Sequence, residues 1–278
     1  MLIDPRNGHD FCSRFDFDTR PLLDCAAHVP PAWEATLRAA RAVFVNGFVF
    51  DDLQPETVLA AVRAAHAGGA DVFFDAGPRA RALLRDVPAG GAAALRELLA
   101  AADALLLTQD EAEVLTGLAD ADAVRLRPPA RACASPHTRP PLAARQAAAA
   151  LLARSTAEDP WVVIKRGSRG CTAHTRRERH VLPALEVEAL DTVGCGDSFA
   201  AAIVLGRLRS HALRPTLALA NAVGAATATG RGAGRNVARA VHVAELLAAA
   251  ASDEAAPPEM RADAANAQRL LAPVPLSL

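Results

Sequence analysis

Two aspartates bracket a glycine-rich turn in Asp191-Thr-Val-Gly-Cys-Gly-Asp197, and the apolar run Ser-Phe-Ala-Ala-Ala-Ile-Val-Leu-Gly follows at once. Glycines at the mouth of a helix leave backbone N–H groups unpaired at the positive end of its dipole, an arrangement that binds phosphate. Gly194, Cys195 and Gly196 would supply those amides. An acid at the same place, Asp197, can take a proton from a hydroxyl as a phosphoryl group moves. Cys195 could also be read as a thiol nucleophile. No histidine lies near it in sequence, however, and a tight turn asks for a small side chain.

Other polar groups fall just after short apolar runs: Asn46 after Ala-Val-Phe-Val, Asp75 after Val-Phe-Phe, Thr108 and Glu111 after Ala-Leu-Leu-Leu, and Lys165 after Val-Val-Ile. In an open α/β sheet, ligands sit beyond the carboxyl ends of the strands. Any one of these residues could merely mark a strand meeting a polar loop; their joint occurrence with the Gly-Cys-Gly-Asp turn favours a site. Lys165 is the only lysine in a chain whose basic residues are otherwise arginine. It offers a cation to nucleotide phosphates, and Gly167 lets backbone approach a ligand closely. Glu111 offers carboxylate oxygen to Mg²⁺, directly or through water, although the first turn of a helix favours a carboxylate in any case.

Those residues need elements to hold them. Strand-length apolar runs at Ala42–Val45, Asp71–Phe74, Ala104–Leu107, Trp161–Ile164 and Cys171–His174 alternate with helical stretches at Pro55–Ala67, Ala92–Ala101, Gln109–Thr116, Ser198–Leu208 and Leu213–Thr229. The alternation predicts a doubly wound, mostly parallel α/β sheet flanked by helices. Residues 1–250 are expected to form one such domain, with a proline-rich insertion at 127–141 and a flexible tail over 251–278. No internal repeat is evident.

Composition removes several function classes. A net charge of −1 gives no reason to expect nucleic acid or an acidic membrane surface as partner. No apolar run reaches the roughly 20 residues that cross a bilayer. Cys12, Cys25, Cys133, Cys171 and Cys195 show no CxxC pair and no metal-ligand spacing, and their odd number without a signal peptide points to an intracellular, cytoplasmic protein. There is no GxxxxGK[ST], which excludes a P-loop. Gly194-Cys-Gly196-Asp-Ser-Phe199 is half of a dinucleotide fingerprint, but Phe199 stands at the third glycine position and Asp197 would oppose a pyrophosphate. A NAD-binding dehydrogenase is therefore disfavoured.

The turn resembles the D-T-x-G-A-G-D-x-F signature of the PfkB, or ribokinase-like, carbohydrate kinase family. The resemblance runs from about Val43 to Ala238. Asp75-Ala-Gly-Pro-Arg79 is similar to the family's D-x-x-x-R segment, and Thr108-Gln-Asp-Glu-Ala-Glu-Val-Leu-Thr-Gly117 to its N-x-x-E-A-x-x-L-T-G segment. Lys165-Arg-Gly-Ser-Arg-Gly170 resembles T-x-G-x-x-G, and Ala220-Asn-Ala-Val-Gly resembles the late helix beside the adenine. Plant and algal PfkB-like proteins of unassigned substrate also carry a cysteine in this turn.

The resemblance implies an ATP-dependent kinase for a hydroxymethyl group of a sugar or nucleoside, using Mg²⁺ and, in many members, K⁺. Asp197 would be the base, and Gly194, Cys195 and Gly196 the anion hole. Glu111 would organise Mg²⁺ and phosphate. Thr108, Lys165, Gly167 and Asn221 would line the nucleotide groove, and Asp191 would belong to a monovalent-cation loop. Thr108 replaces the family's asparagine, which weakens one contact. The resemblance also places residue 1 inside the family's middle third. The front strands, the β lid and most substrate-selecting groups are then expected to be missing, leaving acceptor and oligomeric state open. A plastid location enters if an upstream transit peptide is missing. A catalytically impaired nucleotide-binding or interaction protein is the alternative.

Overall fold

A computed structural model describes residues 2–4, 8–10, 29–118 and 142–271. The proline-rich segment 127–141 lies outside the described residues. Two short strands, β1 (Leu2–Asp4) and β2 (Gly8–Asp10), pair with each other antiparallel. The main sheet has six strands in sequential order: β3 (Ala42–Asn46), β4 (Asp71–Asp75), β5 (Ala104–Thr108), β6 (Trp161–Lys165), β7 (Cys171–His174) and β8 (Arg179–Leu182). β3 to β6 run parallel, and β7 and β8 close the sheet as an antiparallel meander. The expected mostly parallel, helix-flanked sheet is the observed one.

The helices are α1 (Pro31–Ala39), α2 (Pro55–Ala67), α3 (Ala80–Leu84), α4 (Gly91–Ala101), α5 (Gln109–Thr116), α6 (Leu142–Arg154), α7 (Cys195–Leu208), α8 (Leu213–Ala228), α9 (Ala240–Ser252) and α10 (Pro258–Leu270). Successive side chains of a strand point to opposite faces, so each central strand feeds two cores. Val72 and Phe74, Leu105 and Leu107, and Val162 and Ile164 pack against α2, α4 and α6. Phe73, Leu106 and Val163 pack against α7 and α8, with α9 and α10 behind. Both faces being covered explains why these strands read as unbroken apolar runs rather than as alternation.

α7 fixes the functional end of the sheet. At its C-terminal end Arg207 stacks over Trp161 at 4.9 Å, donates to Asp71 Oδ1 at 3.1 Å and donates to the Asp159 carbonyl at 3.0 Å. These contacts lie where β4 and β6 begin, so the N-terminus of α7 faces the ends of those strands. The β6–β7 turn closes through Gly170, at φ 80°; a Cβ there would stand 2.0 Å from the Leu182 carbonyl oxygen, which only glycine tolerates.

Residues 251–278 were expected to be a flexible tail. α10 corrects this for its own span: Asp263, Ala264 and Ala267 are buried, and Asp263 accepts two hydrogen bonds from Arg214 of α8, at 2.7 and 2.8 Å. A short-range pattern of alanine and charge does not reveal a partner on another helix.

Candidate active site

Strand register gathers the polar groups. Asn46 lies beside Asp75 and Thr108 beside Lys165, all at the C-terminal ends of adjacent parallel strands. Asn46 is held locally, its Oδ1 accepting from the Phe48 amide at 3.0 Å. Asp75 is buried; its Oδ1 accepts from the Gly77 amide at 3.1 Å, and its Oδ2 forms an ion pair with the Lys165 ammonium.

The α7 turn meets this group from the other face of the sheet. Gly194 caps the helix at φ 81°, a left-handed conformation that lets the chain turn sharply and start the helix at Cys195, three residues earlier than the apolar run predicted. The Cys195 amide donates to the Thr192 carbonyl at 3.3 Å. Among the described residues nothing accepts from the amides of Gly194, Gly196 and Asp197, and these remain available to an anion. A Cβ on Gly196 would lie 3.9 Å from Lys165 Nζ, so the ammonium stands beside the turn.

Asp197 opens to solvent in the first turn of α7. Loss of hydration pushes its carboxyl above the usual range, the Asp75 charge pushes the same way, and Lys165 opposes both. Glu111 is also raised, first by burial and then by Asp75, against the pull of Lys165 and its hydrogen bonds with Thr108. Thr108 and Glu111 form a capping box at the start of α5: the Thr108 amide donates to Glu111 Oε2 at 2.8 Å, and the Glu111 amide to Thr108 Oγ1 at 3.3 Å. The threonine in place of asparagine therefore acts as a helix cap.

The structure thus brings together Asp197, the turn, Lys165, Glu111 and Thr108, and adds Asp75, which sequence reasoning placed at a strand end without a role. The signal for Asp75 was its equivalence in register to the other strand-end groups. Gly167 sits exposed at φ 59° beyond Lys165. Asp191 is used structurally: its oxygens accept from the Val193 amide at 3.0 Å and the Gly232 amide at 2.8 Å, tying the turn to the segment after α8. Asn221 is buried on α8, donates to the Pro183 carbonyl at 2.9 Å and lines a small cleft with Leu185, Leu247 and Met260, apart from the charged cluster. Its neighbour Cys171 is inert, burial pushing the thiol up to about 12.

The cluster fits phosphate and a divalent cation on its own chemistry. It offers free amides, one ammonium, and a half-buried carboxylate, Glu111, whose other oxygen is not engaged by the cap. Among the described residues no group of three or more metal-ligating side chains stands ready without a ligand's help, and no helix is long and apolar enough to cross a membrane.

Comparison with known proteins follows the same lines. The pfkB family carbohydrate kinase profile matches residues 26–240. An ATP-dependent ribose-1-phosphate kinase of Halopiger xanaduensis is 31% identical over 202 residues, covering 72% of this chain and 52% of that protein. A Klebsiella pneumoniae fructokinase is 31% identical over 184 residues, covering 64% and 51%. The chain spans about half the length of these curated relatives. Among solved structures, an Arabidopsis thaliana ribokinase complexed with ribose and ATP superposes with a TM-score of 0.58 at 19% identity, over 79% of this chain and 59% of that one. A candidate ribokinase II from E. coli, in complex with ATP and Mg²⁺, gives 0.61 at 24% identity, over 77% and 61%. At these identities the superpositions establish the fold.

Proposed function

The chain belongs to the pfkB family of carbohydrate kinases, and from that premise we propose that it transfers the γ-phosphoryl group of ATP to a hydroxymethyl group of a sugar, sugar phosphate or nucleoside. The observation that carries this reading is the meeting of Asp197 and the amide-rich α7 turn with Lys165 at the strand ends.

Asp197 would accept the proton of the acceptor hydroxyl as its oxygen attacks the γ-phosphorus and ADP departs. Its carboxyl, pushed above the usual range by lost hydration and by Asp75, is a stronger base than a fully hydrated carboxylate. The amides of Gly194, Gly196 and Asp197 would meet charge on the transferring oxygens, a fixed dipole array that needs no reorganisation. Lys165 would neutralise phosphate, with Gly167 leaving room beside it. Glu111 would hold Mg²⁺ directly or through water, and the ion would supply charge neutralisation at the phosphates. Asp191 and nearby carbonyls would frame a monovalent-cation loop. Asn221 would bound the adenine end of the groove.

The test is ATP turnover with a panel of ribose, fructose, ribose 1-phosphate and nucleosides, in wild type and Asp197→Asn. Turnover with one acceptor that falls by at least about 10³-fold in the variant supports the kinase. Nucleotide binding without any Asp197-dependent turnover would instead make the chain a nucleotide-binding protein on a kinase scaffold, and NAD binding in place of ATP binding would revive the dehydrogenase.

A further inference from the structure

We infer that Asp75 is a positioning residue, which holds the Lys165 ammonium beside the α7 turn before nucleotide binds and yields it to phosphate when nucleotide arrives. The inference rests on the kinase reading above. The two partners of the pair are unequal. Asp75 is fixed: its side chain is 6% exposed, it ends a central strand, and its second oxygen is held by the Gly77 amide. Lys165 is a compact charge on a flexible stem, 15% exposed, with its Nζ beside Gly196. The ammonium can therefore move between partners and the carboxylate cannot. An arginine would grip Asp75 in a rigid two-point fork, and a chain otherwise built on arginine places its single lysine where exchange is useful.

The surroundings make the exchange reversible. Asp75 and Lys165 both act, in opposite directions, on the carboxyls of Glu111 and Asp197. Phosphate that takes Lys165 leaves Asp75 buried and unpaired, which opposes tight holding of both ATP and ADP. Binding strength that is equal for substrate, transition state and product does not speed the chemical step and slows product release. Asp75 would keep that uniform component small.

Asp75→Asn isolates the charge, because an asparagine oxygen can still accept from Gly77. ADP binding in the presence of Mg²⁺, measured by calorimetry, should become about fivefold tighter, since a competitor for Lys165 and a charge repelling phosphate are both removed. Under the same conditions kcat should fall. A purely structural lesion would move ADP affinity the other way. Protein labelled with ε-¹³C lysine gives one lysine signal, and Asp75→Asn should move it toward its position in nucleotide-saturated wild type. Unchanged or weaker ADP binding in Asp75→Asn, with wild type binding normally, overturns this inference alone. A wild type that binds no ADP overturns the kinase reading and this inference together.

Discussion

Glu111 holds two jobs in one carboxyl group. One oxygen accepts the Thr108 amide and completes the cap of α5, while the carboxyl also lies in the field of Asp75 and Lys165, where it would hold Mg²⁺. Glu111→Gln separates the jobs, because a glutamine oxygen can take over the cap but carries no charge. The Mg²⁺ concentration that supports half-maximal turnover should rise about 10–100-fold, while the melting temperature moves by no more than a few degrees. Equal loss of stability and of Mg²⁺ response would show that the residue is only a cap. Much of this scale was legible in sequence. The acids and the glycine turn announce themselves by type and by place after apolar runs. The Asp75–Lys165 pair did not, because its members are 90 residues apart and only strand register sets them at one end of the sheet.

Strands and helices carry a second kind of charge effect. β7 places His174 on the face toward α6, buried, with its Nε2 lacking a partner among the described residues. Burial, aided by Arg179 and Arg145, lowers its pKa from 6.5 to about 4. Below 6.5 the unfolded chain takes up a proton that the folded chain refuses. Stability from this residue is therefore intact above 6.5 and is lost as pH falls toward 4, by about 1–3 kcal/mol. Urea midpoints across that range should fall less steeply for His174→Gln than for wild type; parallel curves would remove His174 from the account. The apolar runs foretold the strands β3 to β7 within a residue or so. They missed β8, whose Arg179 and His180 break any apolar run and whose pairing comes from β7. They also set the start of α7 too late, because Gly194 turns the chain before the apolar residues begin.

Across the whole molecule, the C-terminal helices act as a clamp behind α7 and α8. Arg214 and Asp263 tie α10 to α8, and Ala264 and Ala267 bury the intervening face. Arg214 is 38% exposed, so solvent screens the pair, and Asp263→Asn should cost about 1 kcal/mol, less at 1 M salt. A difference in urea midpoint that ignores salt would assign the effect to packing instead. The sequential order of β3 to β6 has a consequence in time as well as in space. β4 and β5 each meet the strand before them through a short crossover, so this part of the sheet can assemble progressively with mostly local searching, and β6 joins after a longer connection. The second face waits for α7 and α8, which arrive from far along the chain. Pulse-labelled hydrogen exchange should then protect amides of β4 and β5 before those of α7, and simultaneous protection would contradict that order. During synthesis, a ribosome would release all six strands of the main sheet before the segment bearing Asp197 had emerged, so the strand-end groups are in place before the acid that faces them.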